Sequence, residues 1–161
     1  MGEKNYLFKN SPWEESARIP LIFKLPNQKV ANSVDQPVSL IDIFPTLIDL
    51  CNLQGNPRKN NEGGDLGGYS LRPLLYGNTK WNGPNGALTL VGNNGYSNSE
   101  NDQTYSYRTI QFRFIRYGNG QKELYDHYKD PHEWENIANY KKNKKLIQQL
   151  DNEMDNILKN R

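Results

Sequence analysis

Apolar positions fall into several short runs and one long helical period. Ile19-Pro20-Leu21-Ile22-Phe23 is β-branched and aromatic, is bounded by prolines, and reads as a buried strand. Leu25-Pro26-Asn27-Gln28-Lys29 follows as a turn. Phe44, Leu47, Ile48 and Cys51 recur at i, i+3, i+4 and i+7, which predicts a helix whose apolar stripe packs on a sheet. Asp42 is its expected N-cap, placing Pro45 in the first turn, where a missing N–H costs nothing. Leu71, Leu74 and Leu75 make a short apolar turn, and Ala87-Leu88-Thr89-Leu90-Val91 has the composition of a strand. Between Phe112 and Arg116 arginine alternates with apolar residues, so the stretch Tyr105 to Tyr117 predicts one or two strands with one wet face. Gly118-Asn119-Gly120 is a turn signal, and Glu123-Leu124-Tyr125 is the returning strand of a hairpin. Leu146, Ile147, Leu150, Met154, Ile157 and Leu158 then trace an amphipathic helix from Lys141 to Asn160 that packs on the sheet. Lys141, Lys142, Lys144 and Lys145 crowd its first turns against the helix dipole, where fraying is expected.

Composition narrows this picture. The 161 residues suffice for a domain with a real core, yet only 35% are hydrophobic and the mean hydropathy is −0.92, so long hydrated loops are expected. Twenty Lys and Arg against 18 Asp and Glu leave a net charge of +2, which gives no bulk drive toward nucleic acid or a membrane surface. No apolar run approaches the ~20 residues that span a bilayer. The lone cysteine, Cys51, excludes an internal disulfide. Glycines between Leu53 and Gly68 suggest a phosphate cradle, but no Gly-Lys-Ser/Thr follows them, and the stretch reads as a flexible connector.

The opening segment is a polar loop with embedded aromatics that feeds the first apolar run, which is where α/β enzymes place groups that touch ligands. Within it Gly2-Glu3, Lys9, Trp13-Glu14-Glu15-Ser16 and Arg18-Ile19-Pro20-Leu21-Ile22 resemble the segment of type I sulfatases just after their Asp-His metal-binding pair. Residues Pro37 to Leu50 and then Gly68-Tyr69-Ser70-Leu71-Arg72-Pro73-Leu74-Leu75 resemble that family's next two motifs. Arg113-Phe114-Ile115-Arg116-Tyr117, Glu123-Leu124-Tyr125-Asp126 and Asp130-Pro131-His132-Glu133-Trp134-Glu135-Asn136 resemble the closing segment of iduronate-2-sulfatase-like members. The chain is therefore similar to the C-terminal portion of a formylglycine-dependent sulfatase. The resemblance implies an α/β, alkaline-phosphatase-like fold. In it residues 1–76 contribute a strand and a helix to the end of a larger α/β domain, and residues 77–161 form a small antiparallel sheet packed by the final helix.

The same resemblance implies sulfate-ester hydrolysis, on a sulfated sugar, with Lys9 as the substrate-binding residue. A lysine ammonium is a compact charge suited to a sulfate oxygen. The family's Cys/Ser-x-Pro-x-Arg nucleophile motif is absent: Cys51 is followed by Asn52-Leu53-Gln54, and a small buried side chain is expected there. The calcium that the family uses lacks its aspartates here, so no metal is expected on this chain alone. A missing N-terminal catalytic domain is the implied partner, and the chain alone is not expected to be active. Members of the family are often periplasmic, secreted or lysosomal. Two competing readings are a carbohydrate-binding module using Trp81, Tyr96 and the Asn-rich loop from Gly92 to Gln103, and a phosphoesterase of the same superfamily. Two further patterns carry expectations of their own. The arginine- and tyrosine-rich strand invites single-stranded nucleic acid, and His127 and His132, flanking Asp130-Pro131, invite a metal on what the family makes a surface turn.

Overall fold

The computed structural model describes residues 3–5, 10–54, 66–77, 80–92, 99 and 102–159. Its centre is a four-stranded antiparallel sheet in chain order: β1 (Gly86–Val91), β2 (Thr104–Thr109), β3 (Phe112–Arg116) and β4 (Lys122–Asp126). The β2–β3 turn is closed by Thr109, whose Oγ1 accepts from the Phe112 amide at 2.9 Å. The β3–β4 turn needs Gly120, which sits at φ 83° in the left-handed region.

Register decides the two faces. Leu88, Tyr107, Phe114 and Leu124 lie opposite one another across all four strands, forming one apolar row. Leu150 and Met154 of α4 (Lys144–Lys159) cover that row, with Tyr105 completing the core. Ion pairs fasten the helix at its edge: Arg116 reaches Asp151 at 2.7 Å and Asp155 at 2.8 Å, and Lys122 reaches Asp151 at 2.5 Å. The crowded lysines meet a 3₁₀ turn, Lys141–Asn143, before the α-helix begins at Lys144. Among the described residues no helix is long and apolar enough to cross a membrane.

The neighbouring rows, Ala87-Arg108-Arg113-Tyr125 and Thr89-Ser106-Ile115-Glu123, point to the other face. That face, expected to be wet, is not. Residues 10–17, ending in α1 (Glu14–Ala17), lie across it, and Arg113 is 1% exposed.

Two further expectations fail, both in the N-terminal half. Residues 19–23 form no strand, and Ile22 is 88% exposed. A strand needs a neighbour for its backbone donors and acceptors, and none of the described strands lies beside it. The predicted helix forms as α2 (Ile43–Cys51), but Phe44, Leu47 and Cys51 face outward; Thr46 is the residue it buries. Asp42 stands at the N-cap position of α2, as expected, but its side chain makes no capping hydrogen bond there. Its carboxylate instead accepts from the Ser39 amide at 2.8 Å and the Tyr69 amide at 2.9 Å, tying α2 to the stretch before α3 (Arg72–Leu75). Thr46 completes that tie by accepting from the Leu71 amide at 2.8 Å. Leu71 is buried, as its apolar turn requires.

Candidate functional site

Lys9 lies outside the described residues, but the chain on both sides of it is held to the sheet. On one side Lys4 donates from Nζ to the Tyr125 hydroxyl at 2.8 Å and sits 4.1 Å from that ring's centroid. On the other, Trp13 donates from Nε1 to Glu123 Oε2 at 2.9 Å, and the same oxygen accepts from Tyr125 at 2.8 Å. Residues 4 and 13 therefore converge on β4. Burial and the neighbouring Glu123 carboxylate raise the Tyr125 phenol well above its ordinary value, which keeps it a neutral donor.

The stronger hold is a buried ionic cluster. Arg113 donates from Nε to Glu133 Oε1 at 2.5 Å, from one terminal nitrogen to Ser106 Oγ at 2.7 Å and the Pro12 carbonyl at 3.2 Å, and from the other to Glu14. Ser106 donates to the Pro12 carbonyl at 2.6 Å, and the Glu14 amide donates to Glu133 Oε2 at 2.9 Å. Arg108 adds a second cation to Glu14 at 3.2 Å. Glu133 takes φ 59°, a left-handed conformation that costs a residue with a Cβ about 1–2 kcal/mol. In return its carboxylate meets Arg113, the Glu14 amide and His127 Nε2, the last at 2.8 Å.

Electrostatics follow the geometry. Burial alone would raise Glu133, but the hydrogen bond from His127 and the charge of Arg113 outweigh it and hold its carboxyl below the ordinary range. Burial lowers Arg108 despite Glu14, with like-charge Arg113 adding to the shift.

Glu14, His127 and Glu133 bring ligand atoms within 4.8 Å of one another, which revives the metal reading of His127. The site does not suit calcium. Both carboxylates already hold the Arg113 guanidinium, and imidazole is a poor partner for a cation that takes oxygen ligands. His127 is also no surface-turn residue, since its side chain is buried on Glu133; His132 lies apart from it, stacked on exposed Trp134 at 5.1 Å. Of the strand residues that invite single-stranded nucleic acid, Arg113 and Tyr107 are buried. Cys51 is exposed rather than buried, for the reason that leaves α2's stripe uncovered. Tyr96 lies outside the described residues, while Trp81 is half-buried beside Tyr69.

Glu14, Ser106, Arg113 and Glu133 do not stand out as a group in the sequence, although part of the signal is there. Two motifs each carry an acid, and the strand between them carries Arg113.

The fold is similar to that of a solved protein described in complex with its substrate D-glucosamine-2-N,6-O-disulfate. It is 28% identical, with a TM-score of 0.54, over 73% of this chain and 24% of that one. The architecture is thus the closing part of an alkaline-phosphatase-like sulfatase fold. The chain belongs to the family described as N-sulphoglucosamine sulphohydrolase, C-terminal, which matches residues 2–160. It is 31% identical to a sulfatase of Formosa agariphila over 150 residues, 93% of this chain and 26% of that protein. It is 35% identical to arylsulfatase K of Canis lupus familiaris over 142 residues, 84% of this chain and 25% of the relative. The chain thus spans about a quarter of the length of the curated relatives it matches.

Proposed function

We propose that this chain serves as the C-terminal part of a sulfuric ester hydrolase that acts on sulfated carbohydrate, and that its direct contribution to the chemistry is Lys9. The family match across residues 2–160 carries the reading, and the solved relative's sulfated amino sugar supports the substrate class. In this view residues 1–76 close the α/β domain and residues 77–161 are a subdomain whose sheet holds the Lys9 segment at both ends. Lys9 would meet a sulfate oxygen and offset charge that develops as the S–O bond breaks. The nucleophile and the calcium belong to the remainder of such an enzyme, so the chain alone turns over no sulfate ester.

A chimera tests this. The matched region of the Formosa agariphila sulfatase is replaced by this chain, and sulfate release is assayed with and without Lys9→Ala. The expected result is an active chimera whose kcat/KM falls on the order of 10²–10³-fold in the variant, as when a single transition-state contact is removed. Activity that Lys9→Ala leaves unchanged refutes the role of Lys9. A folded but inactive chimera refutes the reading of the chain itself.

A further inference from the structure

Away from the Arg113 cluster, a cavity of about 290 Å³ opens between residues 37–42, residues 81–86 and the later turns of α4. Its walls are tied to one another rather than packed into the gap. Asp42 joins Ser39 to Tyr69, as described above. Trp81 donates from Nε1 to the Ser70 carbonyl at 3.0 Å and stands edge-on to Tyr69, with ring centroids 6.4 Å apart. Gln36 Nε2 spans to the Pro84 carbonyl at 3.4 Å and the Asn85 carbonyl at 3.1 Å. Tyr107 donates to Glu153 Oε2 at 3.1 Å, joining the sheet to the helix. Cross-tied walls hold a site open before any ligand arrives, and the volume lies at the lower end of the roughly 300–1,000 Å³ usual for ligand pockets.

The lining selects the ligand. Trp81 and Tyr69 offer aromatic surface, Glu153 and Asp42 bring negative charge, and the amides of Asn82 and Asn85 stand exposed at the rim. No Lys or Arg lines the cavity among the described residues. A sulfated or phosphorylated group would face two carboxylates with no cation to offset them, in a setting where water screens less than in bulk. An uncharged polyol ring instead presents C–H faces to the aromatics and hydroxyls to the carboxylate and amides. We infer that this cavity binds one uncharged, unsulfated sugar unit, separately from any sulfate-taking site. The inference rests on the cavity and not on the sulfatase reading.

NMR titration of the chain with neutral hexoses and N-acetylhexosamines, and with their O-sulfated counterparts, tests it. The three tryptophan indoles, of Trp13, Trp81 and Trp134, report position. The expected result is saturable movement of the Trp81 indole with a neutral sugar, at least tenfold weaker binding of its sulfate ester, and at least tenfold weaker binding after Trp81→Ala. Because Trp81 also braces Ser70, the double variant Asn82→Ala and Asn85→Ala supplies an exposed second check, expected to weaken binding severalfold in a fully folded chain. The inference is overturned by a Trp81 indole that no neutral sugar moves, by sulfated sugars binding as well as neutral ones, or by binding that the rim double variant leaves unchanged.

Discussion

Arg113 carries a full charge into a site that is 1% exposed, where two carboxylates, a hydroxyl and a carbonyl surround its guanidinium. Removing one partner of such a group leaves the others buried and uncompensated. Arg113→Met should therefore destabilise the chain by about 3–5 kcal/mol in urea unfolding. Arg113→Lys should recover little, since an ammonium cannot reach Glu133, Ser106 and Glu14 in one plane. Glu133 makes the same cluster sensitive to acid. Its folded pKa lies below the ordinary value of 4.5, so its contribution to stability is present above that value and disappears as pH falls through the lower, folded pKa. The unfolding midpoint should thus drop as the solution is acidified, and Glu133→Gln, which has no carboxylate to protonate, should start lower and show a flatter acid limb. An acid limb of undiminished slope in that variant would place the titrating group elsewhere.

Elements whose partners are near in sequence are legible in the residue pattern alone, and elements whose partners are distant are not. The strands of residues 86–126 and the final helix carry their own periodicity, and short turns join β2 to β3 and β3 to β4. Met154 sits at the centre of that local solution, fully buried against the apolar row, so Met154→Ala should cost about 2–5 kcal/mol by the cavity it leaves, read from urea or thermal unfolding. By contrast, a charged Arg113 in β3 signals a solvent-facing side, and nothing within the strand reveals that residues 10–17, about a hundred positions away, cover it. The candidate site is legible only as a motif around Lys9. Its supporting cluster draws on α1, β2, β3 and the turn at Glu133, which no single window of sequence contains. The apolar run at 19–23 and the stripe of α2 show the opposite limit: the pattern predicts burial, yet no described element of this chain covers them.

At the scale of the whole molecule the uncovered run at 19–23 joins other exposed apolar positions. A trough of about 1210 Å³ runs beside residues 16–41 and the edge of the sheet, where Ile19, Ile22, Leu40, Ile41, Leu90 and Ile110 are all exposed. Clustered exposed apolar side chains mark a surface that another body covers, and under the proposed function that body would be the rest of a sulfatase. This yields a prediction in two arms. In the isolated chain Ile22 contacts mostly water, so Ile22→Asp should change unfolding free energy by no more than about 0.5 kcal/mol while reducing self-association and the binding of an apolar dye. In the chimera with the Formosa agariphila protein the same side chain would be buried, and a buried unpaired carboxylate is expensive, so Ile22→Asp should destabilise it by more than about 2 kcal/mol, on the order of large core lesions. Equal effects in both settings would mean that the trough stays open in the assembled enzyme. The apolar run at 19–23 would then need a different explanation from the sheet it resembles.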